Sequence, residues 1–190
     1  MAKVDIVTVE VVRNYLISAA REMARNLIRT SCTTTIYEIN DFGLGIYDRE
    51  CRMIAEAPGL AIFTSGNDYA LRKAIDFLGL DNIHAGDIIL LNYPYWMAFV
   101  AVKMHWLDLH QRDLGYCLDV TELAHEGLVM PCLKIYERGK LNRPVEGLIR
   151  FNSRMPDVVT GDMHAQISAC RTGEYRVKDL VAKQGFKAFG

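Results

Sequence analysis

The chain has 190 residues, with 22 Lys+Arg against 23 Asp+Glu and a formal net charge of −1. Half of it (51%) is hydrophobic and 24% is charged, which excludes a disordered chain and suits one domain with a sizeable core. With no basic excess to neutralise phosphates, binding of nucleic acid or of an anionic membrane through bulk charge is excluded as well.

The first helix is predicted from about 8 to 29, capped by Asp5 or Thr8. Val9, Val12, Leu16, Ala19, Met23 and Leu27 recur at spacings of three and four and give it one apolar face. The stretch Thr30 to Thr35 ends it, because β-branched residues and local hydroxyl bonds favour extended backbone. A hairpin follows, with strands at 36–47 and 51–57 around the turn Asp48-Arg49-Glu50. Gly43 and Gly45 within the first strand predict a bulge or the close approach of another backbone. Ser65 is placed to cap a helix over 67–78 that stops at Gly79. Apolar strands are predicted at 87–91 and 97–104, and a short one at Leu133 to Tyr136 before the turn Glu137 to Lys140. Asn142 and Pro144 open a helix over 143–152, and Pro156 opens the longest one, to about 184. Gly161 and Gly173 weaken that last helix. The expected class is α+β, a mixed sheet with long flanking helices.

The five cysteines are odd in number and none forms a C-x-x-C pair, which points away from a disulfide framework and from a structural zinc site. The N-terminal residues Met1 to Asp5 reach an acid at once and do not read as a secretory signal. The longest uncharged run, 88–102, has 15 residues. A spanning helix needs roughly 18 to 20. The expected location is cytoplasmic, with no membrane partner.

The densest polar constellation is Lys103 to His110, with the spacing H-x-x-D-x-H formed by His105, Asp108 and His110. Imidazole and carboxylate suit Zn, Mn or Fe. On a strand His105 and Asp108 point to opposite faces; on a helix they share one face that His110 does not. A loop of solvated polar residues has the same pattern. Asp41, after Asn40 in an otherwise apolar strand, is the second candidate, because a carboxylate there is costly unless paired or metal-bound. A turn Asp at a strand edge is the alternative. The strings of a P-loop, of a G-x-G-x-x-G turn and of a G-x-S-x-G elbow do not occur.

Several strings then fall in a specific order. They are Asp5 to Asn14, Asn40-Asp41-Phe42 with Tyr47-Asp48, Gly86 to Asn92 with Pro94-Tyr95, and His105 to Leu109. After them come Glu126-Gly127-Leu128, Lys134-Ile135-Tyr136, Arg150 to Arg154, and Gly161-Asp162 through Ala165-Gln166 to Arg171-Thr172-Gly173-Glu174. In this order the chain resembles the hydantoinase B/oxoprolinase family, in the branch of acetophenone carboxylase subunits. The resemblance implies the N-terminal part of a hydantoinase B-type domain, and a subunit acting on cyclic amides or ketones. It also implies a hetero-oligomer with a hydantoinase A-type partner that uses ATP to activate the substrate. It further implies a divalent metal, Zn or Mn, with Asp41 and His105 as ligands and Asp108 as a third catalytic residue; such a metal would act as a Lewis acid or activate water. In the family a ligand-bearing loop follows Pro94-Tyr95-Trp96, whereas here Trp96-Met97 runs straight into Ala98. The expected domain is thus a single incomplete one over 1–190, with a gap near 96–98 and a truncated C-terminus. A non-catalytic assembly fragment of the same complex, or a small metal- or ligand-binding α+β domain, are the alternative functions.

Overall fold

The computed structural model describes residues 5–57, 59–64, 67–90, 100–104, 106, 108, 121–122, 125 and 127–185. Helix α1 runs Ile6–Thr30, with Asp5 as its cap: the carboxylate accepts from the Val7 and Thr8 N–H groups. Its buried stripe is Val12, Leu16, Ala19, Ala20, Met23, Ala24 and Leu27, while Val9 is exposed. Next come α2 (Thr34–Tyr37), β1 (Phe42–Tyr47), β2 (Met53–Glu56), α3 (Ala61–Thr64) and α4 (Asn67–Leu78). The second half holds β3 (Ile88–Leu90), β4 (Val100–Met104), β5 (Leu133–Glu137), β6 (Lys140–Leu141), α5 (Arg143–Phe151) and α6 (Pro156–Gln184). Asn142 caps α5 through Val145 N–H, as its sequence predicts.

The α+β class holds, and two features differ from the expectation. The strand predicted from 36 begins only at Phe42, because the threonines close a helical turn that buries Ile36 completely. Burial of one isoleucine outweighs the weak extended preference of Thr. Asn40 then takes φ 58°, in the left-handed region that Asn tolerates, and redirects the chain into β1. The sheet is also divided, where one mixed sheet was expected. Strands run β2-β1-β4 in one three-stranded sheet and β3-β5-β6 in another, all described pairs being antiparallel. Residues 91 and 97–99 of the predicted strands, and the Ser65 cap, lie outside the described residues.

The first sheet turns Phe42, Leu44, Ile46, Ala55, Val100 and Val102 onto α1 and α6. The second buries Leu90 and Ile135 against Ile149 of α5 and Val159, Met163 and Ile167 of α6. Helix α6 therefore serves two cores. It lies antiparallel to α1 and close to it. A Cβ on Gly173 would stand 2.5 Å from Met23 Sδ and 2.9 Å from a Val100 methyl, and one on Gly161 would stand 2.4 Å from Cys32 Sγ. These two glycines, read as weak points of a helix, are where its neighbours approach. Asn26 Nδ2 donates to Ser168 Oγ (3.0 Å) and Thr172 Oγ1 (2.7 Å) midway. At one end the buried Asp162 carboxylate accepts from Cys32 N–H (2.6 Å) and Thr33 Oγ1 (2.8 Å); at the other, Tyr15 donates to Asp179.

Asp162→Ala leaves two donors facing a cavity, so it should destabilise the fold by about 2–4 kcal/mol, and Thr33→Val by about 1 kcal/mol. Urea unfolding of the two variants checks the order; equal, negligible losses would contradict this role for Asp162.

Candidate functional site

Asp41 is buried, 5% exposed, although it precedes the strand proper. Its N–H donates to Thr35 O (3.0 Å), so the α2 turn and the left-handed Asn40 together fix its position. The next residue, Phe42, pairs with Met104, which places Asp41 where β1 begins and β4 ends. His105 and His110 lie outside the described residues.

Asp108 is also buried, and its partners are explicit. One oxygen accepts from Ser153 Oγ (2.9 Å), Met155 N–H (3.1 Å) and Arg154 N–H. The other meets the Arg154 side chain at Nε (2.7 Å) and at a terminal guanidinium nitrogen (2.5 Å). Burial pushes the carboxyl's pKa up, but the Arg154 and Ser153 side chains and the two backbone N–H groups outweigh it, so the group lies below its ordinary value. Both oxygens hold the lead into α6, which leaves Asp108 poorly placed to accept a metal. Nearby, Trp106 Nε1 donates to Gln166 Oε1 (3.0 Å), and Gln166 Nε2 donates to Val102 O (2.9 Å). Among the described residues no three His, Cys, Asp or Glu side chains come together as a metal site. Of the three expected site residues, Asp41 and Asp108 are described, Asp41 at the junction of β1 and β4 and Asp108 at the lead into α6.

The other histidines have local partners. His164 meets Glu146 (3.1 Å), His84 Nε2 meets Arg138 (2.7 Å), and His125 N–H closes a turn onto Glu122 O. Two acids with buried carboxylates have roles that sequence reasoning does not single out. Asp162 ties α6 to the end of α1. Asp87 gathers Lys134 Nζ (2.7 Å), Arg138 N–H (2.6 Å) and His84 N–H (3.0 Å) at the start of β3. Burial raises its pKa and these partners bring it below the ordinary value. The signal for Asp162 is an acid inside the small-residue and apolar stripe of a helix, and for Asp87 an acid at the head of an apolar strand. The string Arg171 to Glu174 serves packing: Arg171 covers the Tyr136 ring at 4.4 Å.

The profile of the hydantoinase B/oxoprolinase family matches residues 5–98 and 96–190, and the chain belongs to that family. It is 30% identical over 210 residues to a Pseudomonas sp. (strain NS671) protein named as the putative B-type subunit of a D-/L-hydantoinase, covering 97% of this chain and 36% of that one. It is 28% identical over 206 residues to the beta subunit of the caprolactamase of Pseudomonas jessenii, covering 97% of this chain and 35% of the relative. The crystal structure of the ATP-dependent caprolactamase from that organism superposes on 97% of this chain and 35% of its own with a TM-score of 0.84 at 27% identity. An acetone carboxylase shares the fold at a TM-score of 0.81 and 12% identity, over 96% of this chain and 27% of that one. The chain spans about a third of the length of these two sequence relatives. No described helix is long and apolar enough to cross a membrane.

Because the folded-state pKa of Asp108 is depressed, its stabilisation is complete above the ordinary value of 3.8 and is lost as pH falls through the folded value. Asp108→Asn should therefore be less stable than the parent at pH 7, and the gap should close in acid. Urea midpoints at pH 7 and pH 3 test this; a gap independent of pH would refute a charged anchor.

Proposed function

We propose that this chain is part of an ATP-dependent enzyme that hydrolyses cyclic amides or carboxylates ketones, and that it works beside a hydantoinase A-type subunit. The observation that carries the reading is the buried Asp41 carboxylate at the junction of β1 and β4, in a chain whose family match runs through both strands. Asn40, in the left-handed region that Asn tolerates, turns the chain into β1 immediately before it. Asp41 and His105, which is joined to the last residue of β4, are the proposed ligands of a divalent ion, Zn or Mn. Asp108 holds Ser153 and Arg154 with its two oxygens. The described residues alone do not complete a metal site, so no step of the reaction is assigned to a metal. ATP-dependent activation belongs to the partner, because the sequence has no phosphate-binding loop.

The single-domain reading with an internal gap has support from alignment length. An alignment of 210 residues exceeds the 190 of this chain, so the hydantoinase relative has at least 20 residues that are absent here. The two profile segments meet at 96–98. An assembly role within the same complex is the second reading, favoured by large apolar side chains left in solvent, Phe151 at 89% and Ile6 at 77%. The proposed location is cytoplasmic.

The purified chain should bind Zn²⁺ or Mn²⁺ only weakly, since a partial ligand set lacks the chelate advantage of a closed site, and Asp41→Asn should weaken binding further. It should not turn over hydantoin alone, and should do so only with a hydantoinase A-type subunit and ATP. Calorimetry and product assays check both. Submicromolar binding that Asp41→Ala abolishes would show instead that this chain forms a complete site, and turnover without the partner would overturn the division of labour.

A further inference from the structure

The solvent side of α1 carries a row of cations for which the described residues supply no counterion. Arg21, Arg25 and Arg29 stand four residues apart, so their side chains form one ridge about 12 Å long at the usual helical rise. All three are exposed, and none has an ion pair among the described residues. Arg25 Nε donates to the Arg21 carbonyl at 3.4 Å, which leaves the charge unmatched. Other cations on the long helices are matched: Arg13 by Glu10, Arg176 by Glu22, Lys178 by Glu174 and Lys183 by Asp179. Glu22, one turn before Arg25, is thus already held by Arg176, at 3.0 Å. Like charges at i and i+4 repel, which weakens a helix. The negative end of the helix dipole offsets this in the last turn, and the only base in that turn is Arg29. The dipole therefore does not account for Arg21 and Arg25.

The row leads into a groove. One turn before Arg21, Ile17 lines a surface groove of about 300 Å³ together with Arg21, Glu56, Leu60 and Thr64. Leu60 is 42% exposed there. An apolar notch followed by three cations at spacings of four defines its complement: one apolar side chain followed by carboxylates at the same spacing. Ridges of that kind pack helix against helix, the guanidinium fork matches a carboxylate, and opposite charge fixes the register. Two other occupants fit less well. Duplex nucleic acid offers nothing to the groove, and a single row of three cations makes few phosphate contacts. A second copy of this chain has Glu10, Glu22, Glu174 and Asp179 on its long helices, each already paired with its own cation. We propose that the row Arg21, Arg25 and Arg29, with the groove at Ile17 and Leu60, docks an acidic amphipathic helix of another protein. The proposal does not depend on the reaction proposed above, since it needs neither substrate, metal nor ATP.

The test titrates the full 190-residue chain into a fluorescent helical peptide that carries Leu at one position and Glu at i+4, i+8 and i+12 from it. Binding is read by anisotropy. A peptide of the same composition with its Glu residues spread around the helix, and a short DNA duplex, serve as competing probes. The patterned peptide should bind saturably, and more tightly at low salt than at high. Arg25→Glu should weaken it by about tenfold or more, and Arg25→Gln by less. Arg49→Glu, the same charge change on an exposed turn, should leave it unchanged. Four results would overturn the proposal. They are no binding of the patterned peptide, equal binding of the spread peptide, binding unaltered by Arg25→Glu, and DNA binding as tight as the peptide's and lost in the same variant. Sedimentation showing a dimer of the parent that Arg25→Glu dissociates would give the face to a second copy instead, and would overturn it too.

Discussion

The antiparallel packing of α1 on α6 is the constraint on which the rest of the structure depends. Neither helix is stable through its own sequence, since β-branched residues recur in both, α6 also carries two glycines, and helical stability in water comes mainly from tertiary contact. Their contact is fixed at three levels, by Asp162 at the end of α1, by Asn26 at the middle, and by Tyr15 with Asp179 at the far end. Gly161 and Gly173 set how closely other groups approach α6. Once the pair is formed, the first sheet has a floor for Phe42, Leu44 and Ile46, and the opposite side of α6 is free to receive the second sheet. The divided sheet is thus a consequence of one helix lying between two cores.

Four buried carboxylates illustrate why burial of an acid does not by itself mark a reaction centre. Asp87, Asp108 and Asp162 are each surrounded by donors and hold two chain segments together. Two of them have pKa values drawn below the ordinary range by those donors in spite of burial. Such groups remain charged at neutral pH and act as fixed pins. Asp41 differs in position rather than in burial: it stands at the start of a strand, after the left-handed Asn40, beside the end of β4. Position, with the family match, separates it from the other three.

Membership of the hydantoinase B/oxoprolinase family gives the exposed apolar residues a physical context. The caprolactamase fold is carried by a chain almost three times as long, of which this chain covers 35%. Side chains such as Ile6, Phe77, Phe151 and Tyr175 lie in solvent at positions on α1, α4, α5 and α6.

The sequence alone determined the helices at α1, α4, α5 and α6, the cap at Asn142, the hairpin turn at 48–50 and the family, because each is written in local spacing or in an ordered set of strings; it left the first cap between Asp5 and Thr8, and the structure selects Asp5. The sequence also marked Asp41 through the oddity of an acid among apolar neighbours. It misled at 36–41, where β-branched residues suggest a strand and burial of Ile36 imposes a helical turn. Only the folded chain shows that α6 uses two faces, burying Ala165, Ala169 and Leu180 on one core and Val159, Met163 and Ile167 on the other. Only the tertiary structure decided that Asp108 is a pin, since Ser153 and Arg154 reach it from 45 and 46 residues away. Only it brought Tyr47 of β1 against the Asn67 side chain at the head of α4. Hydrogen-bond satisfaction belongs to contacts between segments distant in sequence, and no local pattern encodes which polar atoms will meet.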